Sequence, residues 1–522
     1  MQLRPVIASV SLLAGALVAL SGNTAQAAST RYEAESSPAV CTGTIDSDWA
    51  GYSGSGFCNG TNAVGAYAQF TVNAASAGTA TLNIRFANGT TSARPADITV
   101  NGSTATSASF EGTGAWSTWT TKTLTVPVAA GSNTIRLNPT GSAGLPNVDY
   151  LDAEVSGAAA GTVLYVSASG TDSAAGTESA PTTLTSAISR ITPGGTIYLR
   201  GGTYSYSSTV TVPAGTDGTS SARTTLSAYP GETPVLNFSA QSESSSNRGL
   251  QLNASYWHVY GIVVEHAGDN GIYVGGSNNV VERTVTRYNR DTGLQLGRIA
   301  SSTPSSQWPS NNLIVSAESH DNADSDGEDA DGFAAKLTTG TGNVFRYDVS
   351  HNNIDDGWDL YTKTDTGAIG PVTIEYSLSY NNGTLSDGTV NSNGDRNGYK
   401  LGGDDIAVNH VVQHSIAYGN GHHGFTYNSN PGTMTISNNA SIDNAERNFS
   451  FDAGTSVFRT NTSCRFSVSG SNDKTIGDAD STNQFWTGTN GSRCSSYSGA
   501  LGWSYASDGH LAVTFGGTVV TP

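Results

Sequence analysis

Carboxylate side chains crowd into two short segments in the middle of this sequence. The acidic residues of the two segments are Asp324, Asp326, Glu328, Asp329, Asp331, Asp355, Asp356 and Asp359. If the two segments share one face of the fold, their carboxylates cannot all stay ionised without a cation between them. Hard oxygen ligands in a flexible arrangement favour Ca²⁺ over Zn²⁺ or Mg²⁺. The pattern therefore predicts a calcium site.

A lysine follows these acids in the segment Asn397-Gly398-Tyr399-Lys400. Successive side chains of a strand point to opposite faces, so Lys400 can lie on the face of the acids while Tyr399 points the other way. A calcium ion nearby would lower the pKa of the lysine and make a neutral amine base available. The residues therefore predict removal of a proton by Lys400 beside a metal ion.

The acids and the lysine belong to a repeat in which a polar residue precedes a glycine and an aromatic or aliphatic residue follows it. The glycines of this repeat are Gly271, Gly293, Gly332, Gly357, Gly398 and Gly424. Their spacings are 22, 39, 25, 41 and 26 residues. A period in the low twenties is typical of stacked β coils, and the leucine-rich-repeat spacing is absent. The two long spacings predict loop insertions that build a binding face.

Stacked coils would place Asp331 beside Asp355 or Asp356, because residues one coil apart lie about 4.8 Å apart. Asparagines follow the intervening strands at a similar offset, and these are Asn289, Asn322, Asn353, Asn382 and Asn444. We expect them to stack from coil to coil and to hydrogen-bond one another's backbone. Residues 180–191 have a helical pattern and are predicted to cap the open end of the solenoid.

The composition supports an exported β protein. Only 13% of the residues are charged, 62 are glycine, and the net charge is −18, which opposes binding to nucleic acid or to an anionic membrane. Residues 1–27 are predicted to be a signal peptide, with Arg4 before an apolar run and Ala25-Gln26-Ala27 at the cleavage site. The mature protein is expected to be soluble, extracellular and monomeric. Export makes disulfides expected, and the economical pairs are Cys41–Cys58 and Cys464–Cys494.

Residues 29–157 form a first unit whose alternating segments predict a β-sandwich, and residues 158–163 form a small-residue linker. This unit resembles carbohydrate-binding modules of family 35, which are related to family 6. The motifs that carry the resemblance are Tyr32-Glu33-Ala34-Glu35, Ala50-Gly51-Tyr52-Ser53-Gly54-Ser55-Gly56-Phe57, Arg85-Phe86-Ala87-Asn88-Gly89, Arg94-Pro95, Trp116-Ser117-Thr118-Trp119 and Pro146-Asn147-Val148-Asp149-Tyr150-Leu151. The resemblance implies a structural calcium on Glu33, Glu35 and Asp152. It also implies a sugar site near Tyr52, Asn88, Trp119 and Asn147, and we expect Trp116 or Trp119 to be an exposed platform.

The second unit resembles polysaccharide lyase family 9, the right-handed parallel β-helix pectate lyases. The resemblance rests on residues 164–204 and on the motifs Asp331-Gly332-Phe333, Asp355-Asp356-Gly357-Trp358-Asp359 and Asn397-Gly398-Tyr399-Lys400-Leu401-Gly402-Gly403. It implies a β-helix over residues 164–455. Residues 456–522 resemble neither set of motifs, and we expect them to pack on the C-terminal end of the β-helix. It also implies that Asp331, Asp355, Asp356 and Asp359 bind the catalytic calcium and that Lys400 is the base. The expected substrate is a pectic polysaccharide, whose carboxylates could bind Arg396, Lys336 and Lys363.

Three other functions fit parts of this pattern. A hydrolase on the same fold would use paired aspartates as acid and base, which leaves Lys400 without a role. A lyase could act on rhamnogalacturonan or another uronate glycan. A non-catalytic wall-binding solenoid would bind calcium and sugar without turnover.

Overall fold

The computed structural model describes residues 29–74, 78–129, 131–157 and 162–521. The predicted signal peptide and residues 158–161 of the predicted linker lie outside these described residues. The chain divides into two compact units, residues 1–157 and 158–522. The architecture confirms the predicted fold class, an all-β chain with a sandwich followed by a parallel β-helix.

The first unit is an antiparallel β-sandwich. Its larger sheet contains, in spatial order, Gly43–Asp46, Phe57–Gly60, Asn147–Gly157, Gly78–Ala87 and Thr120–Val128, with Thr30–Glu33 also paired to Asn147–Gly157. Its other sheet contains Val40–Cys41, Ala68–Ala74, Gly131–Pro139, Arg94–Val100 and Ser103–Phe110. Inward-facing residues alternate with outward-facing ones, as in Ala68–Ala74, so the two sheets enclose one apolar core.

The second unit is a parallel β-helix of three sheets. Its first sheet contains Val163–Val166, Thr196–Leu199, Thr224–Ala228, Trp257–Tyr260, Val280–Glu282, Leu313–Val315, Asn343–Arg346, Val372–Glu375, Val411–Gln413, Thr435–Ser437, Val457–Arg459 and Asp478–Ala479. The second sheet contains Gly202–Ser205, Pro234–Asn237, Val263–Glu265, Val285–Arg287, Glu318–His320, Val349–His351, Leu378–Tyr380, Ile416–Tyr418, Ala440–Ile442 and Thr462–Cys464. The third contains Val210–Val212, Leu250–Leu252, Ile272–Val274, Leu294–Leu296, Phe333–Ala335, Trp358–Asp359, Tyr399–Lys400, Phe425–Thr426, Phe449–Phe451 and Lys474–Thr475.

An interior stack of aromatic rings fixes the register of the third sheet. The rings of Phe333, Trp358, Tyr399, Phe425 and Phe449 follow one another at centroid distances of 4.6–5.1 Å. Four of these residues directly follow repeat glycines, and all five are fully buried. These positions need glycine because an added Cβ would collide with the neighbouring coil. A Cβ at Gly332 would lie 2.0 Å from Ser350 Oγ, and one at Gly357 would lie 2.1 Å from Ser379 Oγ. The stack therefore aligns the residues that precede the glycines on successive coils.

The predicted asparagine ladder is confirmed. The amide group of Asn289 donates to Asn322 Oδ1 at 2.9 Å, and the ladder continues through Asn353, Asn382, Asn420 and Asn444. In each step the backbone N–H of one asparagine also donates to the side-chain oxygen of the next, as between Asn382 and Asn420 at 3.1 Å. These buried amides satisfy the turn backbone that water cannot reach.

The ends of the solenoid differ from the prediction in their boundaries. The capping helix is Leu184–Arg190, shorter than predicted, because the Thr183 hydroxyl accepts from Ser186 N and caps it. The coils continue past residue 455, as far as Asp478–Ala479. Two short 3₁₀ helices cover Ser305–Gln307 and Ser492–Tyr497.

The C-terminal residues pack along the side of the β-helix. A three-stranded antiparallel sheet of Leu501–Tyr505, Leu511–Phe515 and Thr518–Val520 contacts the second sheet. There the Tyr505 hydroxyl donates to Ala317 O at 2.9 Å and Trp503 Nε1 donates to the Tyr380 hydroxyl at 3.0 Å.

Both predicted disulfides are present. Cys41 pairs with Cys58 at a Cα–Cα distance of 5.7 Å, and Cys464 pairs with Cys494 at 5.6 Å. Each bridge closes a loop within one unit, as the economical pairing predicts. Over the described part of the chain, none of the helices has the length and apolar character needed to cross a bilayer.

Candidate active site

The residues that precede the repeat glycines form a ladder along the edge of the third sheet. The backbone N–H of Asp356 donates to Asp331 Oδ1 at 3.3 Å, and that of Asn397 donates to Asp356 Oδ1 at 2.6 Å. The backbone N–H of His423 then donates to Asn397 Oδ1 at 3.2 Å. Each polar side chain thus holds the next coil, and the ladder brings Asp331 and Asp356 side by side.

Three carboxylates meet at this edge. Asp331, Asp355 and Asp356 are buried, and each offers an oxygen within 4.8 Å of the other two. Asp355 Oδ1 accepts from Arg396 N at 3.1 Å, so a backbone amide orients that carboxylate. Asp356 Oδ2 is buried and is paired with Lys400 Nζ at a distance of 3.3 Å. A metal ion at this oxygen would therefore compete with the lysine ammonium.

Asp359 adds a fourth carboxylate from the strand Trp358–Asp359. It is the register partner of Lys400 on the next coil, and its Oδ2 lies 3.8 Å from Lys400 Nζ. Its other oxygen accepts from Tyr361 N at 2.9 Å, which fixes the side chain. Asp359 and Lys400 therefore share one face of the sheet, as alternation along the strands predicts.

Asp331, Asp355, Asp356 and Asp359 together form an acidic group, and Lys400 points into it. Its Nζ lies 2.9 Å from Asp395 Oδ2 and 3.3 Å from Asp356 Oδ2, and only 12% of the side chain is exposed. The ammonium also faces the ring of Tyr361, 5.5 Å from the centroid. A largely buried lysine held by several carboxylates is a candidate for proton transfer.

Lys336 lies in the acidic group and also lines the cavity above it, so its predicted contact with substrate stays a prediction. Its Nζ lies 2.8 Å from Asp331 Oδ2 and 3.3 Å from Asp359 Oδ2, and the side chain is buried. Its charge is therefore used inside the acidic group, because a buried ammonium needs close carboxylates.

The carboxyl groups of the site have raised pKa values. Burial raises the pKa of Asp331 to about 7, with Lys336 opposing the shift. Burial also raises the pKa of Asp356 to about 8, with Lys400 opposing the shift. The pKa of Asp355 rises well above its ordinary value because of burial and the neighbouring Asp356. Burial is the main cause of all three shifts, because removal from water disfavours the ionised carboxylate.

The lysines shift in the direction of greater basicity. Burial alone would lower the pKa of Lys400, but Asp359, Asp356 and Asp395 outweigh it and raise the pKa well above its ordinary value. The pKa of Lys336 is likewise raised by its carboxylate partners against burial. Within this structure both lysines are ammonium ions at neutral pH.

A cavity of about 550 Å³ opens above the acidic group. Its lining includes Lys336, Asp359, Lys363, Asp395 and Lys400. Both predicted insertions contribute, because Glu328 and Asp329 line it from the first and Asn393 and Asp395 from the second. The insertions also bind each other, since Asn391 Nδ2 donates to Asp326 O at 2.7 Å.

The other two predicted cationic residues lie in different places. Lys363 is exposed at the cavity and can reach a ligand there. The Arg396 side chain instead packs against Gly383. A Cβ added at Gly383 would lie 2.5 Å from the Cβ of Arg396.

Sequence reasoning gave no role to three residues of the site. Asp395, Asn397 and Tyr361 contact Lys400 or Asp356 directly. Asn397 could have been found from its place in the repeat, one residue before Gly398. Asp395 and Tyr361 lie in irregular segments, where spacing gives no signal.

The residues predicted to hold calcium in the sandwich unit are not all brought together. Asp152 makes two hydrogen bonds with the Arg31 guanidinium, at 2.8 and 2.9 Å, because the two are register partners. Glu33 accepts from Ser53 Oγ at 2.7 Å, and Glu35 keeps one buried oxygen that bonds to none of the described residues. No compact metal-ligating group among the described residues includes these three acids.

The residues predicted to bind sugar divide into two pairs. Tyr52 and Trp119 are partly exposed on either side of Phe57, at ring distances of 5.7 and 5.2 Å. Asn147 and Asn88 are buried. The Asn88 amide donates to Ser92 O and Phe110 O, so this side chain braces a loop instead of offering free donors to a sugar. Trp116, like Trp119, is partly exposed.

Each of the two units matches a different protein family. Residues 164–462 match the family model described as Pel9A-like, right handed beta helix region. The chain belongs to this family. Residues 33–154, in the first unit, match the model for carbohydrate binding module family 6, the family to which family 35 is related. Because relatives at 57% and 46% identity are named pectate lyases, this Pel9A-like chain is a polysaccharide lyase.

Two relatives and one solved structure illustrate the likeness. The chain is 57% identical over 305 residues to a pectate lyase L from Paenibacillus polymyxa (strain SC2), with 58% of this chain and 67% of the relative covered. It is 46% identical over 290 residues to a pectate lyase L from Thermoclostridium stercorarium, covering 55% of this chain and 23% of the relative. The crystal structure of pectate lyase Pel9A superimposes with a TM-score of 0.56 at 30% identity, covering 69% of this chain and 88% of that one.

Proposed function

We propose that the helical unit cleaves pectate, an α-1,4-linked galacturonan, by calcium-dependent β-elimination with Lys400 as the base. Asp331, Asp355, Asp356 and Asp359 would hold the calcium. One observation carries the proposal: Lys400 Nζ lies 3.3 Å from Asp356 Oδ2, among clustered carboxylates, at a cavity of about 550 Å³, a volume typical of ligand sites. The relatives named pectate lyase support the choice of polymer.

The residues present fit a calcium ion. The four acids supply only oxygen ligands, and Asp331, Asp355 and Asp356 each offer an oxygen within 4.8 Å of the other two. Burial raises the pKa values of Asp331 and Asp356, and a divalent cation beside them would favour their ionised forms. When bound, calcium would offset the uronate charge and make the proton on C5 more acidic.

The chain's own residues account for the elimination. The neutral amine of Lys400 takes the proton from C5, and the electron pair left behind forms the C4–C5 double bond. The bond between C4 and the glycosidic oxygen breaks, and that oxygen takes up a proton to become a hydroxyl. Asp395, 2.9 Å from Lys400 Nζ, orients the amine, and Lys363 can bind a neighbouring uronate. Water is not consumed, and the new end is unsaturated.

A hydrolytic mechanism fits the distances less well. Paired carboxylates of retaining and inverting glycosidases lie about 5–5.5 Å and about 6.5–9.5 Å apart. The ligand oxygens of Asp331, Asp355 and Asp356 lie within 4.8 Å, all three are buried, and two lysines sit against them. These contacts support the proposal that the carboxylates share a cation instead of acting as a hydrolytic pair.

The test follows the ultraviolet absorbance of the conjugated alkene during incubation with polygalacturonate, with calcium or with a chelator. Wild type should generate the band only with calcium, and Lys400→Ala should lose it while keeping the wild-type circular dichroism. Reducing ends without the band would mean a hydrolase, and a band only on rhamnogalacturonan would change the substrate. No product from any pectic polymer would leave the wall-binding alternative.

We also propose that the sandwich unit binds the pectic chain or its unsaturated end through Tyr52 and Trp119. Their partly exposed rings offer flat faces for sugar stacking. Glu33 and Glu35 are proposed to hold a structural calcium, which Asp152 could join only by leaving Arg31. Trp119→Ala in the Lys400→Ala background should weaken binding to pectate fragments without changing calcium binding at the helical unit. Two disulfides fit the secretion that we propose for this chain.

A further inference from the structure

A second group of possible metal ligands lies one coil beyond Asn397. His422, His423 and Glu446 each offer one ligand atom, and these atoms lie within 4.8 Å of one another. His422 Nε2 lies 2.8 Å from Glu446 Oε2, and the two imidazole rings stack at a centroid distance of 3.8 Å. The lyase mechanism uses none of these side chains.

The contacts of His422 leave one position to be filled. Its Nδ1 lies 3.1 Å from the carbonyl oxygen of Asp395, which can only accept, so Nδ1 carries a hydrogen. Its Nε2 faces a carboxylate oxygen, which also only accepts, so Nε2 needs a second proton or a cation there. An imidazole that donates through one nitrogen to a carbonyl and turns the other to a cation is the usual arrangement of a metal-binding histidine.

His423 gives an independent sign of a ligand. Only 9% of this residue is exposed, and its Nδ1 is buried without a hydrogen bond to any residue that the structure describes. Its ring is held in place by the His422 stack and by the ladder bond from its backbone to Asn397. Arg447 pairs with Oε1 of Glu446, which fixes the carboxylate with Oε2 turned to His422.

We propose that His422, His423 and Glu446 form a binding site for a zinc-class transition-metal ion, separate from the acidic group. Two imidazoles and one carboxylate suit Zn²⁺ and its neighbours and are poor ligands for Ca²⁺. Ligand atoms at about 2.1 Å from a tetrahedral ion are roughly 3.4 Å apart. To bind one ion, His422 Nε2 and Glu446 Oε2, now 2.8 Å apart, must separate by about 0.6 Å, and one of the two stacked imidazole rings must turn so that both face the ion. Three protein ligands then leave one coordination position open.

The β-helix contains another histidine–glutamate pair that resembles His422 and Glu446 but has no equivalent of His423. His258 Nε2 lies 2.9 Å from Glu282 Oε2, again between neighbouring coils. Among the described residues, no third metal-ligating side chain lies close enough to His258 and Glu282 to complete a group of three. Substituting His258 thus removes a histidine–glutamate pair of the same kind without touching the proposed site.

The test is zinc binding by untagged full-length protein in saturating calcium, followed by titration calorimetry and by the visible spectrum with Co²⁺ as a probe. We expect one zinc ion per chain for the wild type, and His422→Gln and Glu446→Gln should each weaken binding by at least about tenfold. His258→Gln and Asp356→Asn should bind zinc as the wild type does, the latter because the acidic group is a different site. Glu446→Gln changes a partly exposed side chain, so its fold can be confirmed by its thermal transition.

Two results would overturn the proposal. One is the failure of the calcium-loaded wild type to bind zinc. The other is unchanged zinc affinity in both His422→Gln and Glu446→Gln. The outcome does not depend on lyase activity, because binding is read directly, and a catalytically inactive wild type could still bind zinc.

Discussion

Asp359 and Lys400 are register partners on adjacent coils, and Lys400 Nζ lies 3.8 Å from Asp359 Oδ2. One coil spacing therefore places the proposed base directly beside a proposed calcium ligand. The same carboxylates that would bind the metal stabilise the ammonium form of Lys400 when no metal is bound. Calcium and the base are thus linked: a cation among the carboxylates would weaken their hold on the lysine proton.

The first prediction concerns the pH dependence of the reaction. At saturating calcium we expect the rate of unsaturated-product formation to rise from neutral to alkaline pH, because Lys400 must lose its proton. Burial lowers the pKa of Lys400, but Asp359, Asp356 and Asp395 outweigh burial and raise it. Asp395→Asn removes one of these charges, so the alkaline rise should move to lower pH by about one unit.

Asp395 suits this experiment because it is not among the proposed calcium ligands. A wild-type profile that is flat, or that peaks at acid pH, would count against Lys400 as the base. Lys363→Ala is the matched control, since it removes an exposed lysine of the same cavity. It should raise KM and leave the pH at which the rate rises unchanged.

The second prediction is that calcium binding near pH 7 releases protons. The pKa values of Asp331 and Asp356 are raised by burial to about 7 and about 8, so both carboxyls are partly protonated in the metal-free protein. Calcium needs them ionised, so at pH 7 Asp331 should release about 0.5 and Asp356 about 0.9 protons per ion, with Asp355 adding to this number, and the release should fall as the pH rises above these pKa values. Calorimetry in buffers of different ionisation enthalpy measures this number.

Asp356→Asn supplies the comparison for proton release. The amide cannot titrate, so the variant should release fewer protons and should need more calcium for binding. Equal proton release by variant and wild type would show that other groups supply the protons.

Much of the site could be predicted because it follows the repeat. Asp331 and Asp356 precede glycines one coil apart, and that position alone puts them in contact. The ion pairs of Lys336 could not be predicted, because the sequence does not show whether a long side chain folds inward to a buried carboxylate or outward to solvent. Asp395 was missed because its backbone is positioned by Asp355, a contact made through an irregular insertion. The burial of Asn88 could not be predicted, because it depends on packing inside the sandwich.

The third prediction tests the internal ion pair. Lys336→Met should destabilise the calcium-free protein by about 3–5 kcal/mol, because Asp331 and Asp359 then lose the ammonium that balances them. Calcium should recover much of the loss, since a divalent ion compensates the same carboxylates. Thermal unfolding with calcium and with chelator measures both values. Lys363→Met, on the exposed lysine, should change stability by less than about 0.5 kcal/mol in either condition. A loss in Lys336→Met that calcium leaves undiminished would argue against calcium at these carboxylates.

The fourth prediction concerns the ladder that holds the coils in register. Asn382 Nδ2 donates to Asn420 Oδ1 and to Ser379 Oγ, both at 3.0 Å, and its Oδ1 accepts from Asn353 N at 3.2 Å. Asn382→Ala strands buried partners on both neighbouring coils, and each costs about 1–3 kcal/mol. We therefore expect a loss of roughly 3 kcal/mol in the unfolding free energy of the helical unit.

Lyase activity should report the same change, because the coil that carries Asn382 lies between those of Asp356 and His423. Displacement of that coil would alter the distance between Lys400 and the acidic group, so kcat of Asn382→Ala should fall below the wild-type value at temperatures where the variant is still folded. Asn409→Ala is the control: Asn409 is exposed and accepts one hydrogen bond, from Thr433 N at 2.8 Å. It should cost less than about 1 kcal/mol and leave kcat unchanged. Equal losses in the two variants would mean that the buried ladder is no more important to the fold than a single surface hydrogen bond.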